Sequence, residues 1–182
     1  LARDDDRRGC LPGADSRFYG CGRIVQDQHF YNFQSVFFDM LIHAWRWSGD
    51  AELEGLLRPA LDLHLEWLRA CFDADGDGVY ESVLDTWASD SMWYNGGGTA
   101  QASSYAFAGH RAAAEMAERA GDGAAAQRHR TQAEHIRTGV MASLWSSERG
   151  HLGEYREALG HRRRHDAAGI YVHVVGARTG HG

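Results

Sequence analysis

Residues 73–98 read DADGDGVYESVLDTWASDSMWYNGGG, a run that gathers carboxylates, indoles, phenols, an amide and a glycine triplet. Asp85 and Asp90 stand five residues apart within it. A carboxylic acid serves as a general acid near neutral pH only if burial or a neighbouring charge raises its pKa. Trp87, Trp93 and Tyr94 flank the two acids and would supply that desolvation, or would stack on the C–H face of a sugar ring. The competing reading makes Asp85 a helix cap and the tryptophans core residues.

Asp73, Asp75 and Asp77 with Gly78 match the opening of a calcium loop, in which oxygen ligands alternate along the chain. The match stops there, because Leu84 fills the twelfth position and Asp85 comes one residue late. Aspartate and glycine are also the residues of tight turns, which is the favoured reading, with Ca2+ at these three acids as the alternative. Asn95 to Gly98 allow close backbone approach to a ligand but fit no phosphate-loop pattern. Gln101 and Ser103 read as a helix start. His161 and His165 have helical metal-pair spacing but lack the accompanying glutamate, so a solvated basic patch is expected. His43 and His64 read as structural residues inside helices.

These residues must be held by the elements around them. From Asn32 a helix is expected, with Phe33, Val36, Phe37, Met40, Leu41 and Ala44 on its buried face and Gly49 at its C-terminal cap. A second helix spans about Glu52 to Cys71 on a stripe of Leu53, Leu57, Ala60, Leu61, Leu65 and Leu68. Pro59 conflicts with a helix interior and suggests a start there instead. Alanine-rich residues 100–122 form a third helix despite Gly109. Residues 124–145 form a fourth, with Ala126, His129, Ala133, Ile136, Val140 and Leu144 on one side. A weak strand signal covers Tyr171 to Val175. The pattern is two helical hairpins in series, joined by the long 73–98 loop, with residues 1–30 as an irregular lead-in. Function collects on long connections.

The chain has 182 residues, 43% of them hydrophobic, and a net charge of -6. One domain is expected, and no basic field for nucleic acid is present. No apolar run approaches a membrane span, so a soluble protein is expected, its compartment unreadable. Three cysteines, Cys10, Cys21 and Cys71, form no C-x-x-C pair and predict no zinc site. Leu1 opens the chain and all 19 basic residues are arginine, and we read the sequence as part of something longer.

The stretches YNFQSVFFDMLIHAWRWSGD and LEWLRACFDADGDGVYESVLDTWASDSMWYNGGGTAQASSYAFAGHRAAAEMA, with GEYREALGHRRRHD, resemble the six-hairpin glycosidase-like superfamily. Within it they are most similar to an uncharacterised bacterial carbohydrate-associated group. The resemblance spans residues 30–167. It implies an all-α fold in which residues 31–160 form part of an (α/α)6 toroid, with 161–182 a poorly defined C-terminal segment. It also implies glycoside hydrolysis by inversion, with Asp90 in WASD as general acid and Asp85 tuning it or binding a substrate hydroxyl. Trp87, Trp93, Tyr94, Asn95 and Glu81 would line the sugar subsite. No cofactor is required beyond the alternative Ca2+, and the partner is a carbohydrate. The family's arginine after the acid is missing from SMWYNGGG. Inverting enzymes place two carboxyl groups about 6.5–9.5 Å apart, on opposite sides of the bond. Five helical residues rise about 7.5 Å, but Asp85 and Asp90 share one loop, so the partner carboxylate is expected from a later hairpin. A non-catalytic sugar-binding or scaffold domain is the alternative function. Exposed helix faces would then favour homo-oligomers.

Overall fold

The computed structural model describes residues 31–85, 92–153, 155–156 and 164–165. The lead-in at 1–30, Cys10, Cys21, Trp87, Asp90, His161 and the expected strand at 171–175 lie outside the described residues. Helix α1 spans Tyr31–Ser48 and α2 spans Ala51–Phe72. Helix α3 follows at Ala100–Arg119 and α4 at Gly123–Leu144. The fold is all-α, with short two-stranded ribbons between and after the helices.

Helix α1 ends as its sequence predicts. Gly49 takes φ +63°, and its N–H donates to the Trp45 carbonyl at 2.8 Å. Its buried face differs from the expected one. Ser35, Phe38, Ile42 and Trp45 are buried, whereas Met40 is 66% exposed and Phe37 49%. The helix carries large apolar side chains nearly all round, so periodicity alone does not select a face. What selects it is the partner surface. Phe38 stacks on His64 with centroids 4.1 Å apart, and the buried Trp45 indole donates to Glu54 at 2.9 Å.

Helix α2 begins at Asp50, whose side chain accepts from the Glu52 and Leu53 amides. Pro59 is therefore inside the helix rather than at its start, which corrects the expectation. Leu57, Leu61, Leu65 and Leu68 are buried as the stripe predicts. Gly109 of α3 meets this stripe, since a Cβ there would stand 2.8 Å from Leu65 Cδ2. The glycine that weakens α3 locally is what allows α2 and α3 to approach.

Helices α3 and α4 pair tightly through a short turn with Gly121 at φ +75°. Asp122 caps α4 by accepting from Ala125. Ala126, Ala133, Ile136, Val140 and Leu144 are buried along α4, as expected. Three apolar clusters result among the described residues. One joins α1, α2 and α3 around Trp45, Leu61 and Met116, a second joins α2, α3 and α4 around Trp67, Tyr80 and Ile136, and a small third one joins Ala117 of α3 to Ala125 and Ala126 of α4.

The 73–98 connection is not a plain loop. Strand β1, Glu81–Asp85, pairs antiparallel with β2, Met92–Gly98. Three short pieces follow α4 in order. β3 (Trp145–Ser146) pairs with β4 (His151–Leu152), and β5 (Tyr155–Arg156) pairs with β6 (Arg164–His165). No helix among the described residues is long and apolar enough to cross a membrane.

Candidate active site

The acidic turn at the end of α2 is built from its own side chains. Asp73 accepts from the Gly78 amide at 3.0 Å, Asp77 from Val79 at 2.8 Å, and Asp75 from Asp77 at 3.4 Å. Gly76 and Gly78 take φ values of +71° and +80°, which a side chain would oppose.

Helix α4 then fixes the turn in place. His135 Nε2–H donates to the Gly76 carbonyl at 2.9 Å. Gly139 lies directly beneath, where a Cβ would fall 2.1 Å from the Asp77 carbonyl oxygen. Arg156 of β5 closes the other side, with Nη2 2.5 Å from Asp77 Oδ2 and Nη1 3.1 Å from Ser143 Oγ. The turn is thus held by a helix, a strand and its own carboxylates.

The ribbon grows from this anchored base. Tyr80, fully buried, donates its amide to Ser103 Oγ at 2.9 Å, and Ser103 donates to the Thr99 carbonyl at 2.6 Å. Thr99 Oγ1 accepts from Ala102, capping α3. Gln101 and Ser103 accordingly mark a helix start, as the sequence suggests. Glu81 pairs with Gly98, Leu84 with Trp93, and Asp85 with Met92, with an irregularity between Ser82 and Leu84. Directly paired α-carbons in an antiparallel ladder are about 4.5–5.5 Å apart. Asp85 and Met92, which flank residues 86–91 in the sequence, are therefore held together.

Among the expected site residues, Asp85 ends β1 while Trp93, Tyr94 and Asn95 lie on β2. Because Asp85 is in a strand, the helical rise used to relate it to Asp90 does not apply. Glu81 is half-buried at the ribbon base. Burial, with Asp75 and Asp77 beside it, raises its pKa above the usual glutamate value. Burial also raises the Asp73 carboxyl, against the opposing Gly78 hydrogen bond.

Asp73, Asp75 and Asp77 do converge, with carboxylate oxygens within 4.8 Å of one another. Each also spends an oxygen on a turn amide, and the Arg156 guanidinium occupies the second oxygen of Asp77. A cation would compete with that guanidinium. The hydrogen bonds are those of a tight turn.

Arg156, His135 and Gly139 were not singled out by sequence. A glycine in the interior of a strongly periodic helix was the available signal at Gly139, since it costs helix stability unless something approaches closely. Arg156 carried no signal, because its partner is 79 residues away.

The described residues form two helical hairpins with an acidic turn and a short ribbon between them. Residues 85–179 match the mannosylglycerate hydrolase MGH1-like glycoside hydrolase domain, just over half of the chain, and the chain belongs to this family. The match begins at Asp85 and includes Asp90, and it accords with the six-hairpin glycosidase-like resemblance. No curated protein matches the sequence.

Proposed function

We propose that this chain is part of an inverting glycoside hydrolase whose proton donor is Asp90. Family membership over residues 85–179 is the observation that carries the reading. The ribbon supports it by tying Asp85 to Met92 at the two ends of the segment that bears Asp90. Asp85 tunes the acid or binds a substrate hydroxyl, and Trp87, Trp93, Tyr94, Asn95 and Glu81 form the sugar subsite. The catalytic base comes from another hairpin of an (α/α)6 toroid, because acid and base must flank the bond. In this reading the exposed apolar side chains of α1 and α2, among them Met40, Trp47 and Leu56, serve helix packing within that toroid.

The substrate is a small glycoside, with mannosylglycerate, named in the family description, as the first compound to assay. In the step itself, the Asp90 carboxylic acid gives its proton to the departing glycosidic oxygen while the anomeric carbon–oxygen bond breaks. Water adds at the opposite face and its proton passes to the base. No cofactor enters this reaction.

Hydrolysis of mannosylglycerate and an oligosaccharide panel, with calorimetry on the same compounds, tests the assignment. Product release that falls at least about a hundredfold in Asp90→Asn, with an unchanged circular dichroism spectrum, is expected, since general acid catalysis contributes about 10²–10⁴. Sugar binding without any product would replace the enzyme with a recognition module. Normal turnover in the variant would remove Asp90.

A further inference from the structure

The ribbon joins the C-terminal end of α2 to the N-terminus of α3, and farther along these helices lies a second set of titratable groups. A cavity of about 800 Å³ opens there between the N-terminal half of α2 and the end of α3, lined by Glu54, Arg58, Pro59, Asp62 and Arg119. Arg58 is paired with Asp122 and Arg119 with Glu54, while Asp62, partly exposed at the rim, pairs with neither arginine. Asp62 Oδ1 lies 3.1 Å from His129 Nε2 on α4. The other nitrogen of that ring, Nδ1, lies 3.0 Å from Nδ1 of His110 on α3. His110 is 6% exposed, and its Nε2 has no hydrogen-bond partner among the described residues.

We propose that Asp62, His129 and His110, with His64 beside them, form a proton-sensitive latch joining α2, α3 and α4. The proposal is independent of the glycosidase reading. Its logic lies in the nitrogen-to-nitrogen contact, where one ring must donate and the other accept. With both rings neutral, His129 donates through Nε2 to Asp62 and accepts from His110 Nδ1–H. The unpartnered His110 Nε2 is then a lone pair.

A pair that carries one extra proton can hold it on the ring beside the Asp62 carboxylate, that of His129. That ring then donates to both Asp62 and His110, and the remaining ring proton of His110 moves to Nε2, where no acceptor waits. A second proton would set two N–H groups against each other at 3.0 Å and break the contact. The latch tolerates one proton and opens with two.

The surroundings oppose the second proton. From α2, His64 and Arg69 face His110 and disfavour its positive charge, Asp62 favours it, and from α4 His129 disfavours it. From α1 the contribution is the Gln34 amide, 2.8 Å from His64 Nδ1. His64 is itself buried and stacked under Phe38. Burial, then these charges, hold both rings neutral, with pKa values near 3 for His64 and for His110.

The test is the histidine ring nitrogen spectrum of the full chain across pH, together with urea unfolding of the chain and of His110→Gln and His64→Gln. His64 and His110 are expected to remain neutral at pH 5.5, well below the ordinary histidine pKa of about 6.5. The folding constant should then drop between pH 6 and pH 5, approaching tenfold for each buried histidine, and each substitution should remove one such step. Imidazolium signals from both rings at pH 5.5 in the folded chain would overturn the latch, and so would a pH slope that neither variant reduces. The nitrogen spectrum needs no variant, so it decides the matter even if a substituted chain fails to fold.

Discussion

At the residue scale, the site depends on a few atoms that admit no addition. Gly139 sits under the Asp77 carbonyl so closely that Gly139→Ala must push the turn off α4 or bend the helix. Overpacking of this kind costs about 1–3 kcal/mol. The urea midpoint should fall accordingly, and an unchanged midpoint would show that the turn moves freely. The three aspartates below the ribbon are engaged by amides and by Arg156, so removing divalent cations with a chelator should leave the melting temperature unchanged. A chelator-induced drop, restored by Ca2+, would mean that an ion holds the native state. Glu81 gives a pH-dependent prediction. Its folded pKa is raised by burial and by Asp75 and Asp77, so its ionised form opposes folding above the usual glutamate range. That penalty fades as pH falls and the carboxyl protonates. Glu81→Gln should therefore raise the melting temperature at pH 7, with the gain shrinking toward pH 4.

At the element scale, helix boundaries were readable and the ribbon was not. Gly49, Gly121 and the alanine run of α3 mark ends and interiors through backbone preferences that act locally. The α2 and α4 stripes worked because polar residues fill their other faces. Helix α1 failed as a guide to burial because Phe37, Phe38, Met40, Ile42, Trp45 and Trp47 surround it, and only α2 and α3 decide which of them go inside. The ribbon lacks alternating β-branched residues and is full of aspartate, serine, asparagine and glycine, so its sequence reads as a loop. Its pairing comes from context. Thr99 follows β2 and caps α3, while Ser103 ties the α3 start to Tyr80 just before β1. Loss of an N-cap costs about 1 kcal/mol. Thr99→Ala should lower stability by about that much and speed amide exchange in β1 and β2 ahead of α4. Equal protection along the chain would indicate that the cap does not govern the ribbon.

At the scale of the whole molecule, two hairpins share an apolar interior and hold two separate sets of titratable groups. The acidic turn and the ribbon carry the carboxylates, and the histidine chain lies between the helices, with Asp62 at the rim of the cavity. Asp90 stands out in the sequence because aspartate among indoles is unusual for a connection, and it lies outside the described residues. The histidine chain was not legible, since His64, His110 and His129 come from three helices and meet only through packing. The two sets also pull pH dependence in opposite directions. His64 and His110 bind protons more weakly when folded, so the stability they allow is complete above about pH 6.5 and is lost as pH falls toward 3. Asp73 and Glu81 bind protons more strongly when folded and act in the reverse sense.

The central claim is that a carboxylic acid carried by the ribbon drives glycoside cleavage with inversion. Proton NMR of the anomeric signal, recorded as the protein releases its first product from a glycoside of known configuration, tests it most directly. The account predicts that the opposite anomer appears first and later equilibrates, and that Asp90→Asn yields no signal on the same timescale. First product of retained configuration, or an undiminished signal from the variant, would contradict it.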